Sequence, residues 1–418
     1  MIAIAKKLKS NLTPAHVFMI SVLLVNGGNY VYNLLLGRFL GPEKFADAAV
    51  LVTFLLVLSF VAMTFQLVTA KFSVFFEANV FKAFAANMYK KSAFAGIIFG
   101  CLIVFFASEL QEFFKTSSSS MFVVFGLGIP LYFIMSVNRG IFQGKEKLVS
   151  LSVTYQAEMI SRLVITLAFL YFLQIESSLL ISLGILASFV CGLIPFDFKN
   201  ISWKSNNLLS KSQGKLVRNF FIITAFYELT QIIINNSDIL LVKHYFESFD
   251  AGLYASLALI GRVVYFIAWM FVMLLLPTVV KQKKEGKSTV PILLKYVTYI
   301  AGIAAVIILG CVLFPTQIVT ILFGESYLAV TPLLWKYALA TGIFALSNIF
   351  AYYYLSLDKY IPVVLSGLFG MLQILLVVFF HENLAQVVHV QIIAMVLLLL
   401  VQLGFFFYEN RFRTLHFD

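Results

Sequence analysis

The stretch PAHVFMISVLLVNGGNYVYNLLLGRFLGPEKFADAAVLVTFLLVLSFVAMTFQLV (Pro14–Val68) holds two long apolar runs around one short polar turn. A helix needs roughly 20 apolar residues to cross a hydrocarbon core. Each run meets that length, so the stretch reads as two membrane spans joined by a tight turn. The same pattern continues outward from it almost to the end of the chain. Twelve candidate spans follow one another, over residues 14–39, 46–68, 92–108, 120–138, 151–173, 178–196, 217–242, 251–277, 292–314, 332–355, 361–380 and 386–408. The 418 residues are 61% hydrophobic and only 12% charged. The longest polar stretch, Asp197–Lys215, is too short to fold as a domain, which excludes a soluble catalytic domain.

The basic residues orient these spans. With the N-terminus in the cytoplasm, 23 of the 30 Lys and Arg fall on the cytoplasmic side. Only Arg38, Lys44, Lys115 and Lys243 fall outside, and Arg162, Arg262 and Lys336 lie within spans. That is the positive-inside pattern, and it predicts two cytoplasmic termini in an inner (plasma) membrane. The net charge of +11 is therefore topological information. It lacks the folded basic surface that nucleic acid requires, so no nucleic-acid partner is expected. The basic lead Met1–Pro14 reads as a signal anchor. Cys101, Cys191 and Cys311 lie in separate spans, with no disulfide or metal spacing. His16, His244, His381, His389 and His416 are scattered as well, so no metal site is expected.

Six spans precede the linker Asp197–Lys215 and six follow it. The expected domains are residues 1–196, a cytoplasmic linker 197–215, and residues 216–418. Each half starts and ends inside, so a repeat relation between them is parallel, about an axis along the membrane normal. Setting LLLGRFLGPEKFADAAVL (Leu34–Leu51) on LLVKHYFESFDAGLYASL (Leu240–Leu257) gives four identities. Both segments describe a helix end, a basic residue, a polar turn and a new helix.

LGRFLGPEKFADAAVL after the first span resembles the first-loop signature of polysaccharide flippases. That family belongs to the multidrug, oligosaccharidyl-lipid and polysaccharide exporter superfamily. RGIFQGKEK (Arg139–Lys147) after the fourth span and FDAGLYASLALIGR (Phe249–Arg262) opening the eighth are similar to segments of the same family. The resemblance implies an all-α integral membrane fold, with twelve transmembrane helices in two six-helix bundles around a central cavity. It implies alternating access that moves a polyprenyl-(pyro)phosphate-linked oligosaccharide from the cytoplasmic to the outer leaflet, for surface polysaccharide biosynthesis. Membrane lipids and other polysaccharide assembly proteins are the implied partners. No cofactor and no covalent chemistry are implied.

Polar groups in hydrocarbon are costly and face a cavity or a partner helix. Asn26, Asn29 and Asn33 are spaced three then four in the first span, hence on one helical face. Glu228, Gln231, Asn235 and Asp238 share a face of the seventh in the same way. The half-to-half alignment sets Asn29 opposite Asn235. Such stripes suit sugar hydroxyls; the alternative is that the amides bond helix to helix. Arg262 and Arg162 lie deep in their spans, Arg262 roughly 16 Å in at 1.5 Å per residue. Guanidinium is the natural fork for a pyrophosphate. Arg162 has a rival explanation, a same-helix ion pair with Glu158 four residues earlier. Arg38, Arg139 and Lys243 lie at span ends, where topology alone accounts for them. Gly27–Gly28 and Gly126, Gly128 and Pro130 mark either hinges or close-packing sites.

Three rivals remain in view. Glu228 and Asp238 could carry protons or sodium in an ion-coupled small-molecule or drug antiporter of the same fold, because burial disfavours a charged carboxylate. A membrane-embedded polymerase or ligase would need a catalytic cluster outside. The outer connections Glu109–Ser119 and Pro315–Thr331 hold no paired carboxylates and no His/Ser constellation. A channel would need a filter-like loop, and no span suggests one.

Overall fold

A computed structural model of the chain describes residues 14–196, 209–357 and 359–414. The basic lead with Lys6, Lys7 and Lys9, the linker lysines Lys199 and Lys204, and His416 lie outside the described residues. Regular structure among the described residues is entirely helical.

The first helix, α1 (Pro14–Phe75), is 62 residues long and holds the first two expected spans. Its path breaks at Gly41, whose φ of 72° is open to glycine without the penalty a Cβ brings. Pro42 follows, with no N–H to continue the ladder. The break falls where the polar turn was expected. Next come α2 (Ala78–Phe105), the short α3 (Ala107–Phe113), α4 (Ser120–Gly144), α5 (Leu148–Phe172) and α6 (Ser177–Gly192). Beyond the linker lie α7 (Lys211–Tyr245), α8 (Ser248–Gly261), α9 (Val263–Lys284), α10 (Val290–Leu313) and α11 (Pro315–Leu322). A 3₁₀ turn (Glu325–Val330), α12 (Thr331–Ser356), α13 (Ile361–Phe379) and α14 (Leu384–Thr414) complete the chain. Helices α10, α11, α12 and α13 each carry Pro in their opening positions, where its missing N–H costs nothing.

Ten helices among the described residues are long and apolar enough to cross a membrane. Since α1 serves two spans and the shorter apolar α6 matches the sixth, all twelve expected spans are present. The eighth is not one unbroken helix: α8 stops at Gly261 and α9 resumes at Val263, with Arg262 between. Phe105, Phe172 and Phe379 are 77%, 75% and 75% exposed, a surface that only hydrocarbon solvates well.

The chain forms two compact units. The first comprises residues up to Asn33 and Phe54–Glu228. The second comprises Leu34–Thr53 and Leu229–Asp418. Compactness therefore groups Leu34–Thr53 with the C-terminal residues, although it precedes the linker along the chain.

In the first unit α2 runs along α4, with Gly96 and Gly100 against Pro130 and Gly126. A Cβ on residue 96 would stand 2.6 Å from the Pro130 Cα. The α4 glycine–proline segment is thus a close-packing site. Phe54 sits edge-on to Phe114, Phe122 and Phe125 at 5.5, 5.7 and 6.4 Å.

In the second unit the two segments aligned from the sequence pack on one another. Lys243, at the end of α7, pairs with Asp47 at 3.0 Å, both buried. Gly252 lies so close to Pro42 that a Cβ there would collide with the Pro42 carbonyl. Phe45 packs on Phe323 and Tyr327, at 5.8 and 6.4 Å. The Tyr327 hydroxyl donates to the Gly37 carbonyl at 2.7 Å, and Arg38 donates to the Ile321 carbonyl at 2.6 Å. Topology alone does not account for Lys243 and Arg38, because each holds this turn. Further along α7, Ile234 joins Phe344, Ala394, Met395 and Leu398 in an apolar core.

Candidate functional site

Besides the Lys243–Asp47 pair, each unit buries an arginine-centred cluster of charge among the described residues. In the first unit it forms between α4 and α5. Arg139 was expected at a span end, yet it is only 4% exposed. Its Nε donates to Thr154 Oγ1 at 3.1 Å, and its Nη2 donates to the Thr154 carbonyl at 2.9 Å. The same Nη2 pairs with Glu158 Oε2 at 2.7 Å. Arg162, one turn along α5, donates from Nη2 to Glu158 Oε1, also at 2.7 Å. This is the same-helix pair weighed from the sequence. The Arg139 guanidinium lies 4.2 Å from the Tyr155 ring centre, and that of Arg162 lies 5.9 Å from the Tyr32 ring centre.

Two guanidiniums thus share one carboxylate, and the cluster holds one positive charge in excess. The buried Arg162 Nε has no hydrogen-bond partner among the described residues. A buried cation without full compensation is expensive, so this cluster carries a charge that an anion would offset. Nearby, Gln66 donates to the Tyr155 hydroxyl at 2.8 Å.

In the second unit α7, α8, α12 and α14 build a different cluster. Arg262 donates from Nη2 to Asp238 Oδ1 at 2.6 Å and from Nε to the Tyr337 hydroxyl at 3.2 Å. Its Nη1 reaches Asn236 Oδ1 at 3.5 Å. Asp238 Oδ2 accepts from the hydroxyls of Tyr337 at 2.7 Å and Tyr254 at 3.1 Å. Gln391 donates in turn to the Tyr254 hydroxyl at 2.6 Å. Here one cation meets one anion, and all three guanidinium nitrogens have partners. A cavity of about 30 Å³ adjoins the cluster, lined by Asn235, Thr341 and Gln373 among others. That is room for no more than a water or two. Of the residues expected to bind substrate or carry ions, Arg262 and Asp238 therefore meet each other and are mutually satisfied.

The amide stripes behave alike in both units. Asn33 Nδ2 donates to the carbonyl of Asn29 at 2.8 Å, and Asn235 Nδ2 donates to that of Gln231 at 2.9 Å. Each bonds its own helix four residues back and not a neighbouring helix. Asn26 is exposed, and Asn29 is half-buried. Gln231 is buried, and both its amide nitrogen and its amide oxygen lack partners among the described residues. Glu228 is half-buried, and its side chain makes no hydrogen bond or ion pair among the described residues. Sequence reasoning missed Arg139, Tyr254 and Tyr337 as members of these clusters. Arg139 opens the RGIFQGKEK segment, a signal that pointed to it, whereas nothing in the sequence singles out Tyr254 and Tyr337 among the chain's 19 tyrosines.

Solved structures of membrane transporters and flippases share this fold. The fold matches an inward-facing multidrug resistance MATE family transporter of the MOP superfamily with a TM-score of 0.72. That match covers 90% of this chain and 93% of that one, at 12% identity. The lipid II flippase MurJ matches with a TM-score of 0.73 over 93% of this chain and 87% of that one, at 14% identity. The chain belongs to the polysaccharide biosynthesis protein family, whose model matches residues 35–332. An uncharacterised membrane protein of Methanocaldococcus jannaschii is 26% identical over 253 residues, and the match spans 56% of each chain. The chain is thus a multi-pass membrane protein of that family, with the fold that these transporter and flippase structures share.

Proposed function

We propose that the protein flips a polyprenyl-(pyro)phosphate-linked oligosaccharide from the cytoplasmic to the outer leaflet of the inner membrane, for surface polysaccharide assembly. The observation that carries this reading is the excess positive charge of Arg139, Glu158 and Arg162, with the Arg162 Nε left open. A pyrophosphate supplies the missing anion, and a guanidinium edge matches its oxygens. The amide stripes of α1 and α7 supply donors and acceptors of the kind sugar hydroxyls require. The family and the fold agree with this class of activity. Alternating access is the mechanism that the fold's transporter relatives suggest, with both termini cytoplasmic.

Glu228 favours one addition: a proton as the coupling ion. A half-buried carboxylate in a span with no ion partner among the described residues is a suitable carrier, whereas Asp238 is held by Arg262 and two tyrosines. Glu228 would serve equally in an antiporter of small molecules, the second reading.

The test is a strain lacking the gene, with radiolabelled lipid-linked precursor followed in the membrane and finished polymer followed at the surface. Wild type should clear accumulated precursor and restore polymer. Arg162→Gln should fail to do so while being present at wild-type levels, because it leaves a neutral Arg139–Glu158 pair. Full activity of Arg162→Gln would remove the anion site from the mechanism. Unchanged precursor and polymer in the deletion strain would favour the antiporter, and Glu228→Gln would then be the variant to test against drug susceptibility.

A further inference from the structure

A cavity near the charge-rich ends of the first unit has no part in the clusters above. It has a volume of about 510 Å³ and lies among the end of the second span in α1, the third and fourth turns of α2 and the start of α7. Its rim carries Lys91, Lys211 and Arg218, with Asn87 beside them, and no carboxylate lines it. No ion pair or hydrogen bond involves the side chains of these three cations among the described residues. Its floor is apolar, with Phe65 and Phe221 edge to face at 5.2 Å and Met88 and Val217 buried beside them. Just beyond, Lys71 sits 3.7 Å from the Phe220 ring centre.

A cationic rim over an aromatic floor is the shape an amphiphile needs: phosphate at the rim and hydrocarbon along the floor. Its size suits a ligand much larger than one inorganic phosphate, within the roughly 300–1,000 Å³ of small-molecule sites. The charge count puts Lys91, Lys211 and Arg218 at the cytoplasmic membrane face, where basic pockets between spans take anionic lipid head groups. We propose that this pocket binds the phosphate head group of a membrane lipid at the cytoplasmic face, apart from the Arg139–Glu158–Arg162 cluster. It deepens the flippase reading, because a phosphate-linked carrier waiting at that face is what such a protein must first collect. A bulk anionic phospholipid offers the same chemistry, and the test separates the two sources.

Gly214 lines the pocket, and a side chain there would meet open space. The full-length purified protein carrying Gly214→Cys is labelled with a membrane-impermeant maleimide, and wild type gives the background from Cys101, Cys191 and Cys311. Farnesyl diphosphate should slow labelling about tenfold at saturation, whereas farnesol and inorganic pyrophosphate should leave it nearly unchanged. Adding Lys91→Gln, Lys211→Gln and Arg218→Gln should abolish protection. The exchange Lys91→Arg, Lys211→Arg and Arg218→Lys should retain it, which separates charge from folding. Protection by cardiolipin equal to that by farnesyl diphosphate assigns the pocket to bulk lipid; weaker protection by cardiolipin assigns it to the carrier. Labelling unaffected by either lipid, or protection that survives loss of all three charges, overturns the proposal. None of these readings depends on transport, so failure of Arg162→Gln to block flipping would not be mistaken for failure here.

Discussion

The two units bury charge in opposite ways. In the first, Arg139 and Arg162 divide one carboxylate, and an Nε is left open. In the second, Arg262 and Asp238 pair one to one, and two tyrosine hydroxyls and Asn236 take up the remaining valences. A satisfied buried pair holds a fold in register at little net gain, since desolvation offsets attraction. An unsatisfied one leaves part of its desolvation cost uncompensated within the protein. The difference sets a closed ion pair in the second unit against an open one in the first, although the sequence reading names both Arg162 and Arg262 as candidate anion ligands.

The largest effect should come from breaking the comparison at its carboxylates. Glu158→Gln and Asp238→Asn each strand buried cations, at a cost of about 3–5 kcal/mol. Thermal unfolding of the purified protein should show both losses. The second changes should then part the units. Arg262→Gln on top of Asp238→Asn leaves a neutral hydrogen-bonded group and should recover most of the stability. Arg162→Gln on top of Glu158→Gln leaves Arg139 buried and charged, and should recover little. Equal rescue in both units would mean that Arg139 has another counter-charge, and the excess-charge argument would fail.

Much of this was legible beforehand because membrane spans obey a coarse rule. Length and apolarity are read directly along the chain, so α1, α7 and α12 fall where they were expected. The Gly41 break was legible as a polar turn. Pairing was not, because it depends on which helix faces which. Glu158 and Arg162 share a helix at i and i+4, and that pair could be read. Asp238 and Arg262 are 24 residues apart on different helices, with Tyr337 a further 75 along, and no periodicity connects them. Lys243 and Arg38 looked topological for the same reason: their partners, Asp47 and the Ile321 carbonyl, come from other segments.

Intermediate effects should come from the glycines, where both units use the same device. Gly96 in the first unit and Gly252 in the second each bring backbone against backbone, at Pro130 and at Pro42. Backbone cannot move aside as a flexible side chain can, so Gly96→Ala and Gly252→Ala should each cost about 1–3 kcal/mol through overpacking. Gly27→Ala is the control, since nothing lies within 4 Å of the added Cβ. It should change stability by less than about 0.5 kcal/mol, or raise it slightly through helix propensity. If Gly252→Ala unfolded at the wild-type temperature, the packing of Leu34–Thr53 inside the second unit would be wrong.

The smallest effect on stability, and the one that best sharpens the comparison, belongs to Gln231. Its amide is buried with neither end partnered among the described residues, in the unit whose charges are otherwise satisfied. An unsatisfied buried amide costs about 1–3 kcal/mol, so removing it relieves a penalty. Gln231→Leu keeps similar bulk and should leave the unfolding temperature unchanged or raise it. Asn235→Ala, by contrast, gives up only a bond to its own helix and should lower stability by at most about 1 kcal/mol. The transport assay then decides what the idle amide is for. Loss of surface polymer in a Gln231→Leu protein as stable as wild type would mean that the second unit also keeps a polar group in reserve, for sugar and not for phosphate. Undiminished polymer would confine substrate recognition to the first unit's arginines and leave the α7 stripe a matter of packing.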